Sequence, residues 1–313
     1  MKKFVGKAIA YGLVMILLLI TLDLLSMGPL KGFLCGITDC EYYMEAESGI
    51  ESIRPAIEAV QCEDGATVLI IGDSISNQLF SEFAGYNPGI TVACTNAAVN
   101  VTGQYMMARA FLDSHPEATD IWLFMHPKTI VRSFDTTLGY PYAVMPFLQY
   151  DMLSYLEKET IDGLASVYTH AALNKNFLNL ILASPINYKL YLNGIHRYKT
   201  AYTGGSSLYM ANLYLCKLKK ECEKRGVTLH FLASPSTEHF REENESYREE
   251  FESLKLGEAF PDYYESIYYY DNLYSDDLSH LGVAYQTTEI YIQWIRNAYG
   301  DTGLLEVFCL GEE

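Results

Sequence analysis

Apolar positions fall along this chain in two patterns. At the amino terminus, "MKKFVGKAIAYGLVMILLLITLDLLSMGPL" is apolar over residues 8–22 and resumes after Asp23 at Leu24 and Leu25, with no polar face to interrupt it. Residues 8–30 are enough to cross a hydrocarbon core of about 30 Å at about 1.5 Å per residue. Lys2, Lys3 and Lys7 flank the run on its amino-terminal side, which predicts a single-pass cell-membrane anchor with a cytoplasmic amino terminus. The rest of the chain is then extracytoplasmic. A secretory signal peptide cut near residues 26–28 is the rival expectation; it leaves a secreted protein.

The second pattern begins at residue 66, where short apolar runs alternate with helical periodicity. "ATVLIIGD" (66–73), "GITVACTN" (89–96), "DIWLFMHP" (120–127), "VTLHFLASP" (227–235) and "SIYYYDNL" (266–273) are the expected strands. The first four are apolar on both faces, as in a parallel sheet covered on both sides. Between them, Leu208, Ala211, Leu215, Leu218 and Cys222 recur at spacings of three and four, with Ser206 or Ser207 as the expected cap and Lys224-Arg225-Gly226 as the stop. The expected fold is α/β, a three-layer α/β/α sandwich with a mainly parallel five-stranded sheet, whose ligands bind beyond the carboxyl ends of the strands.

The expected organisation is a membrane anchor or signal at 1–30, a juxtamembrane stalk at 31–65, a domain at 66–300 and a tail at 301–313. Residues 130–205 break the alternation and read as a helical, tyrosine-rich insertion, either a cap over the site or extra scaffold. "REENESYREEFESLK" (241–255) reads as a solvated acidic segment.

With 313 residues, half of them apolar and only 19% charged, the chain has material for a large core. Its formal charge of −17 argues against nucleic acid as a partner. The seven cysteines include Cys35 and Cys40, a candidate disulfide outside the cytoplasm, and Cys94, which reads as a small buried hydrophobe. No Cys-x-x-Cys or His-x-x-x-His spacing marks a metal site, and no cofactor is expected.

Candidate chemistry lies at the end of the first strand. Ser74 follows Gly72-Asp73 there, but a serine hydroxyl needs a base to become a nucleophile, and taken alone Ser74 reads equally well as a turn or helix cap. "YSDDLSHLGVAYQ" supplies the base: Asp277 stands three residues before His280, so one turn can set the carboxylate on one ring nitrogen and leave the other for Ser74. His115, His170, His196 and His230 read as structural, and His239 as a candidate substrate contact at the strand rim.

"IGDSISNQL" and "DDLSHLG" together resemble the nucleophile and final blocks of the GDSL, or SGNH, hydrolase superfamily. The resemblance implies a Ser74, Asp277, His280 triad on a three-layer α/β sandwich. It also implies an oxyanion hole, for which "NAAVNVTGQY" offers the amide of Gly103 beside that of Ser74, with Asn100 as a further donor. The family's Gly-x-Asn-Asp block is replaced by "MHPKT" (125–129), leaving Lys128 as another candidate. A Pro-containing third block, an insertion, an anchor and a His-Leu-Gly ending look like envelope acyl-transfer proteins of the D-alanyl-lipoteichoic acid biosynthesis protein D and alginate O-acetylation families. That layout implies a serine esterase or O-acyltransferase acting on a cell-envelope polysaccharide or acylated polymer, with a membrane-bound O-acyltransferase as partner. The alternative is a catalytically inactive member that binds glycan or scaffolds a membrane acylation complex.

Overall fold

Four of the five apolar runs form one sheet. In a computed structural model that describes residues 2–27, 41–97, 99–131, 140–164 and 208–308, strands β1 (Val68–Gly72), β2 (Ile90–Val92), β3 (Asp120–Phe124) and β4 (Thr228–Leu232) lie in the order β2-β1-β3-β4, all parallel. The fifth run does not join them. Only Tyr269–Tyr270 is extended, and it pairs with Ser236–Thr237 in a separate two-stranded ribbon just past the end of β4. The expected five-stranded sheet therefore has four strands among the described residues. Three successive tyrosines follow Ile267, and a 3-10 turn occupies Tyr264–Ser266, so the segment meets its neighbour over two residues only.

Side chains alternate to the two faces of the sheet, and each face has its own core. Leu69, Ile71, Ile121 and Leu123 pack with helices α2 (Glu41–Gln61), α4 (Val101–Ser114) and α5 (Tyr209–Arg225). Ile70, Trp122 and Phe124 face Leu79 and Phe80 of α3 (Ser74–Phe80) and Tyr291, Trp294 and Ile295 of α6 (Thr288–Tyr299). Burying each such large side chain contributes about 1.5–3 kcal/mol. Helix α5 stops as expected: Gly226 takes a φ of 73° and its N–H closes on Cys222 and Glu223. Its amino-terminal cap position is Leu208, without a side-chain cap bond; Ser206 and Ser207 lie outside the described residues.

Three expected boundaries move. Residues 53–60 are not stalk: the carboxyl-terminal part of α2 seats Ile53, Ile57 and Val60 in the core against α4. The tail is part of the fold to residue 308, because Leu304 and Phe308 are buried and Phe308 stacks on Phe80 at 6.2 Å. Of the insertion, residues 140–164 are scaffold, placing Val144, Phe147, Met152 and Leu164 in the same core as α2 and α4. Residues 132–139 and 165–207, which would carry a cap, lie outside the described residues.

The amino-terminal run is one helix, α1 (Lys2–Met27), of 26 residues. Its Lys3–Thr21 stretch has a mean hydropathy of 2.2, is buried nowhere in the protein, and is long and apolar enough to cross a membrane. Cys35 and Cys40 lie outside the described residues; Cys62, Cys94, Cys216 and Cys222 are free thiols.

Candidate active site

The register of the sheet determines which residues meet at its rim. Gly72, Phe124 and Leu232 are level across β1, β3 and β4. The residues one or two positions further along, Asp73, His126 and Ser234, therefore converge. Gly72 has to be glycine, since a Cβ there would stand 2.5 Å from the Phe124 carbonyl and 2.6 Å from the Ser76 hydroxyl.

Asp73 is the hub of this rim. It is buried, and its Oδ1 accepts from the amides of Ile75 and Ser76, at 3.2 Å each, and from the hydroxyls of Ser76 and Ser234, at 3.1 and 2.9 Å. Its Oδ2 accepts from the His126 amide at 2.6 Å. Asp73 thus caps α3, and Ser74, the first helical residue, is spared that role. Replacing Asp73 by alanine strands several buried donors at about 1–3 kcal/mol each. After relaxation, Asp73→Ala is expected to lower unfolding free energy by about 3–4 kcal/mol. Urea denaturation of the full chain in detergent measures this, and a loss under about 1 kcal/mol would remove Asp73 from the hub.

Relieved of capping, the Ser74 hydroxyl lies 2.8 Å from His280 Nε2, and His280 Nδ1 lies 2.7 Å from Asp277 Oδ2. Asp277 also accepts the amides of Ser279 and His280, at 2.8 and 2.7 Å. Burial works against its charge, but the hydrogen bonds from the His280 ring and from those two amides outweigh it and bring the carboxyl from 3.8 down to about 2. An ionised Asp277 accepts from Nδ1–H, which leaves Nε2 as the lone-pair nitrogen facing the serine.

The loop that carries Asp277 and His280 is tied at many points. Leu278 sits in the left-handed region, φ 65°, and its carbonyl accepts from Thr237 Oγ1 at 2.6 Å. Gln78, one turn past Ser74, clamps the next residue from both sides. Its Oε1 accepts the Leu281 amide at 2.9 Å and its Nε2 donates to the Leu281 carbonyl at 3.1 Å. Ser74 and the loop that carries His280 are thereby fastened to one helix.

The other expected donors are not brought to Ser74. Asn100 caps α4, accepting the Gly103 amide at 3.1 Å, so that amide is already engaged. Gly103 is glycine for packing: a Cβ would stand 2.4 Å from Val99 and 2.9 Å from Phe147. Lys128 turns toward Glu243 and the face of Phe240. In "MHPKT", His126 Nδ1 accepts the Lys128 amide, so Nε2–H donates to Ser236 at 2.9 Å. That segment, with its main-chain bond to Asp73, is a strut of the rim. The Ser74 amide is the remaining expected oxyanion donor.

His115 and His230 are paired with Asp64 and Asp120, and neither lines the cavity at Ser74; His170 and His196 lie outside the described residues. The ring of His239 meets Phe240 edge-on and does not line the cavity at Ser74. That cavity, about 570 Å³, also has walls that sequence reasoning missed: Asn77, Gln78, Asn96 and Gln286. Asn77 and Gln78 lie on the same helical face as Ser74, at spacings of three and four, and this was their only available signal. Among the described residues no cluster of His, Cys, Asp and Glu could hold a metal ion. Comparison with protein-family models, curated proteins and solved structures finds no match for the chain.

Proposed function

We propose that this chain is a membrane-anchored, extracytoplasmic serine esterase or O-acyltransferase of the GDSL, or SGNH, type, acting on acyl groups of a cell-envelope glycan or polymer. The observation that carries this reading is the continuous line of hydrogen bonds from the Ser74 hydroxyl through His280 to Asp277. Four parallel strands with helices on both faces suit that fold type. A 26-residue helix that is long and apolar enough to cross a membrane, with lysines at its amino-terminal end, suits the anchor.

In this mechanism His280 Nε2 takes the Ser74 proton as Oγ attacks the ester carbonyl. The Ser74 amide donates to the oxyanion, and the imidazolium is steadied by Asp277. Collapse of the tetrahedral adduct breaks the ester C–O bond, and His280 returns its proton to the departing alkoxide. Water or a sugar hydroxyl then gives a proton to His280 and attacks the acyl-serine; the bond from the acyl carbon to Oγ breaks, and His280 returns the proton to Ser74. Hydrolysis and transfer use the same residues. A membrane-bound O-acyltransferase is the proposed supplier of acyl groups for transfer.

A fluorophosphonate probe tests the reading directly. The full chain in detergent is expected to take the label, and Ser74→Ala to refuse it. No Ser74-dependent label, under conditions where a control hydrolase reacts, would leave only the non-catalytic alternative.

Gln78 gives a subtler test. With Gln78→Ala the Leu281 clamp is lost while Ser74, His280 and Asp277 remain, so kcat for an aryl acetate is expected to drop about 10–100-fold with KM little changed. Steady-state kinetics beside a melting curve separates this from unfolding; an unchanged kcat would show that the loop holds itself.

A further inference from the structure

The walls of the Ser74 cavity describe the ligand it can accept. Its floor is one face of the segment that starts at Ser74: Asn77, Gln78, Ser81 and Glu82 follow at three- and four-residue intervals. The opposite wall is the loop from Asp276 to Gln286, and Asn96 closes a third side. At about 570 Å³ the space is within the usual range for small ligands, about 300–1,000 Å³.

Much of the hydrogen-bonding capacity in these walls is unspent. Asn77 donates to Asn96 Oδ1 at 2.9 Å, which leaves the Asn96 Nδ2 donors and the Asn77 Oδ1 acceptor for a ligand. Gln286 commits its Nε2 to the Leu281 carbonyl at 2.7 Å and keeps its Oε1. The Ser81 hydroxyl and the Glu82 carboxylate have no hydrogen-bond or ion-pair partner among the described residues. Such a mixture of carboxamides, a hydroxyl and a carboxylate presents donors and acceptors side by side. A ligand that offers both from each group, as a sugar hydroxyl does, uses them best.

Charge narrows the class further. Glu82, Asp276 and Asp277 all line the cavity, and among the described residues no lysine or arginine does. The chain as a whole carries −17. A cleft lined with one sign of charge focuses the field and repels ligands of the same sign. Val283, also in the lining, is 77% exposed and offers apolar contact to the C–H face of a sugar ring.

We propose that the Ser74 cavity binds esters of uncharged oligosaccharides and rejects polyanionic polymers. This specificity rests on the proposed acyl chemistry only for what happens after binding; the recognition itself does not need the nucleophile.

The test uses the Ser74→Ala full chain in detergent, which cannot turn over its ligand. Calorimetric titration compares an acetylated xylose oligomer with an acetylated uronic acid oligomer of equal length at low ionic strength. The uncharged oligomer is expected to bind at least roughly 30-fold more tightly, with the gap closing as salt is added. In the same background Glu82→Lys is expected to narrow the gap to about 5-fold or less, and Glu82→Gln to narrow it by a smaller amount. Equal or tighter binding of the uronate, binding of neither oligomer, or a gap indifferent to salt would overturn the proposal. Fluorophosphonate labelling of the unmutated chain decides the acyl chemistry separately, so either idea can fail alone.

Discussion

His280→Ala is expected to lower kcat for aryl acetate hydrolysis about 10⁴- to 10⁶-fold, and the double variant with Ser74→Ala to be no worse than either single change, within about 3-fold. The reason is geometric. With Nε2 2.8 Å from the hydroxyl, the imidazole is the acceptor placed to receive the Ser74 proton, so removing either partner disables the pair as one unit. His280 is over a third exposed and its loop is fastened by bonds from its main chain to the Thr237 and Gln78 side chains, so the substitution should leave the fold standing. Steady-state rates and a melting curve on the single and double variants check this. Losses that multiply in the double variant would mean that the two side chains act independently, and the proposed relay would fall.

Asp277→Asn comes next in size, at about 10⁴-fold in kcat. Its Oδ2 receives the Nδ1 proton, and an amide nitrogen placed there would instead favour the tautomer with the proton on Nε2, facing Ser74. The pH dependence has a definite sign. A carboxyl whose folded pKa is about 2, below its ordinary 3.8, contributes stability that is present above about pH 4 and lost as pH falls toward 2. Asp277 therefore stays ionised throughout the neutral range. The loss in Asp277→Asn is expected to persist at every pH between about 5 and 8. Wild-type and Asp277→Asn rates that converge to equality within that window would show that the ionised Asp277 does not support the base there, contrary to its hydrogen bonds.

Much of the sheet was legible because its signal is local. Unbroken apolar runs ending in polar residues mark β1, β3 and β4 to within a few residues, and Lys224-Arg225-Gly226 marks a helix end through the one backbone conformation that glycine favours. The spacing of Asp277 and His280 is equally local, since one turn joins them. What failed depended on distant partners. Asp73 as hub needs Ser234, 161 residues on, and Gln78 as clamp needs Leu281, 203 residues on. Gly103 was offered as a donor by the resemblance alone, and its packing against Phe147 has no trace in the neighbouring residues. The tyrosines after Ile267 have strand propensity, yet propensity cannot say how many residues will find a neighbour.

The separations around Asp73 also bear on how the protein is made. Its carboxylate joins residues from the ends of three strands, and Ser74 meets its base 206 positions along the chain. Contacts of such long sequence separation are the slow ones to form. A chain growing from its amino terminus carries Gly-Asp-Ser early and holds it without function until β4 has docked and the last loop has closed over α3. Under the proposed acyl chemistry, reactivity at Ser74 waits for that late closure, and an incompletely folded chain stays chemically silent.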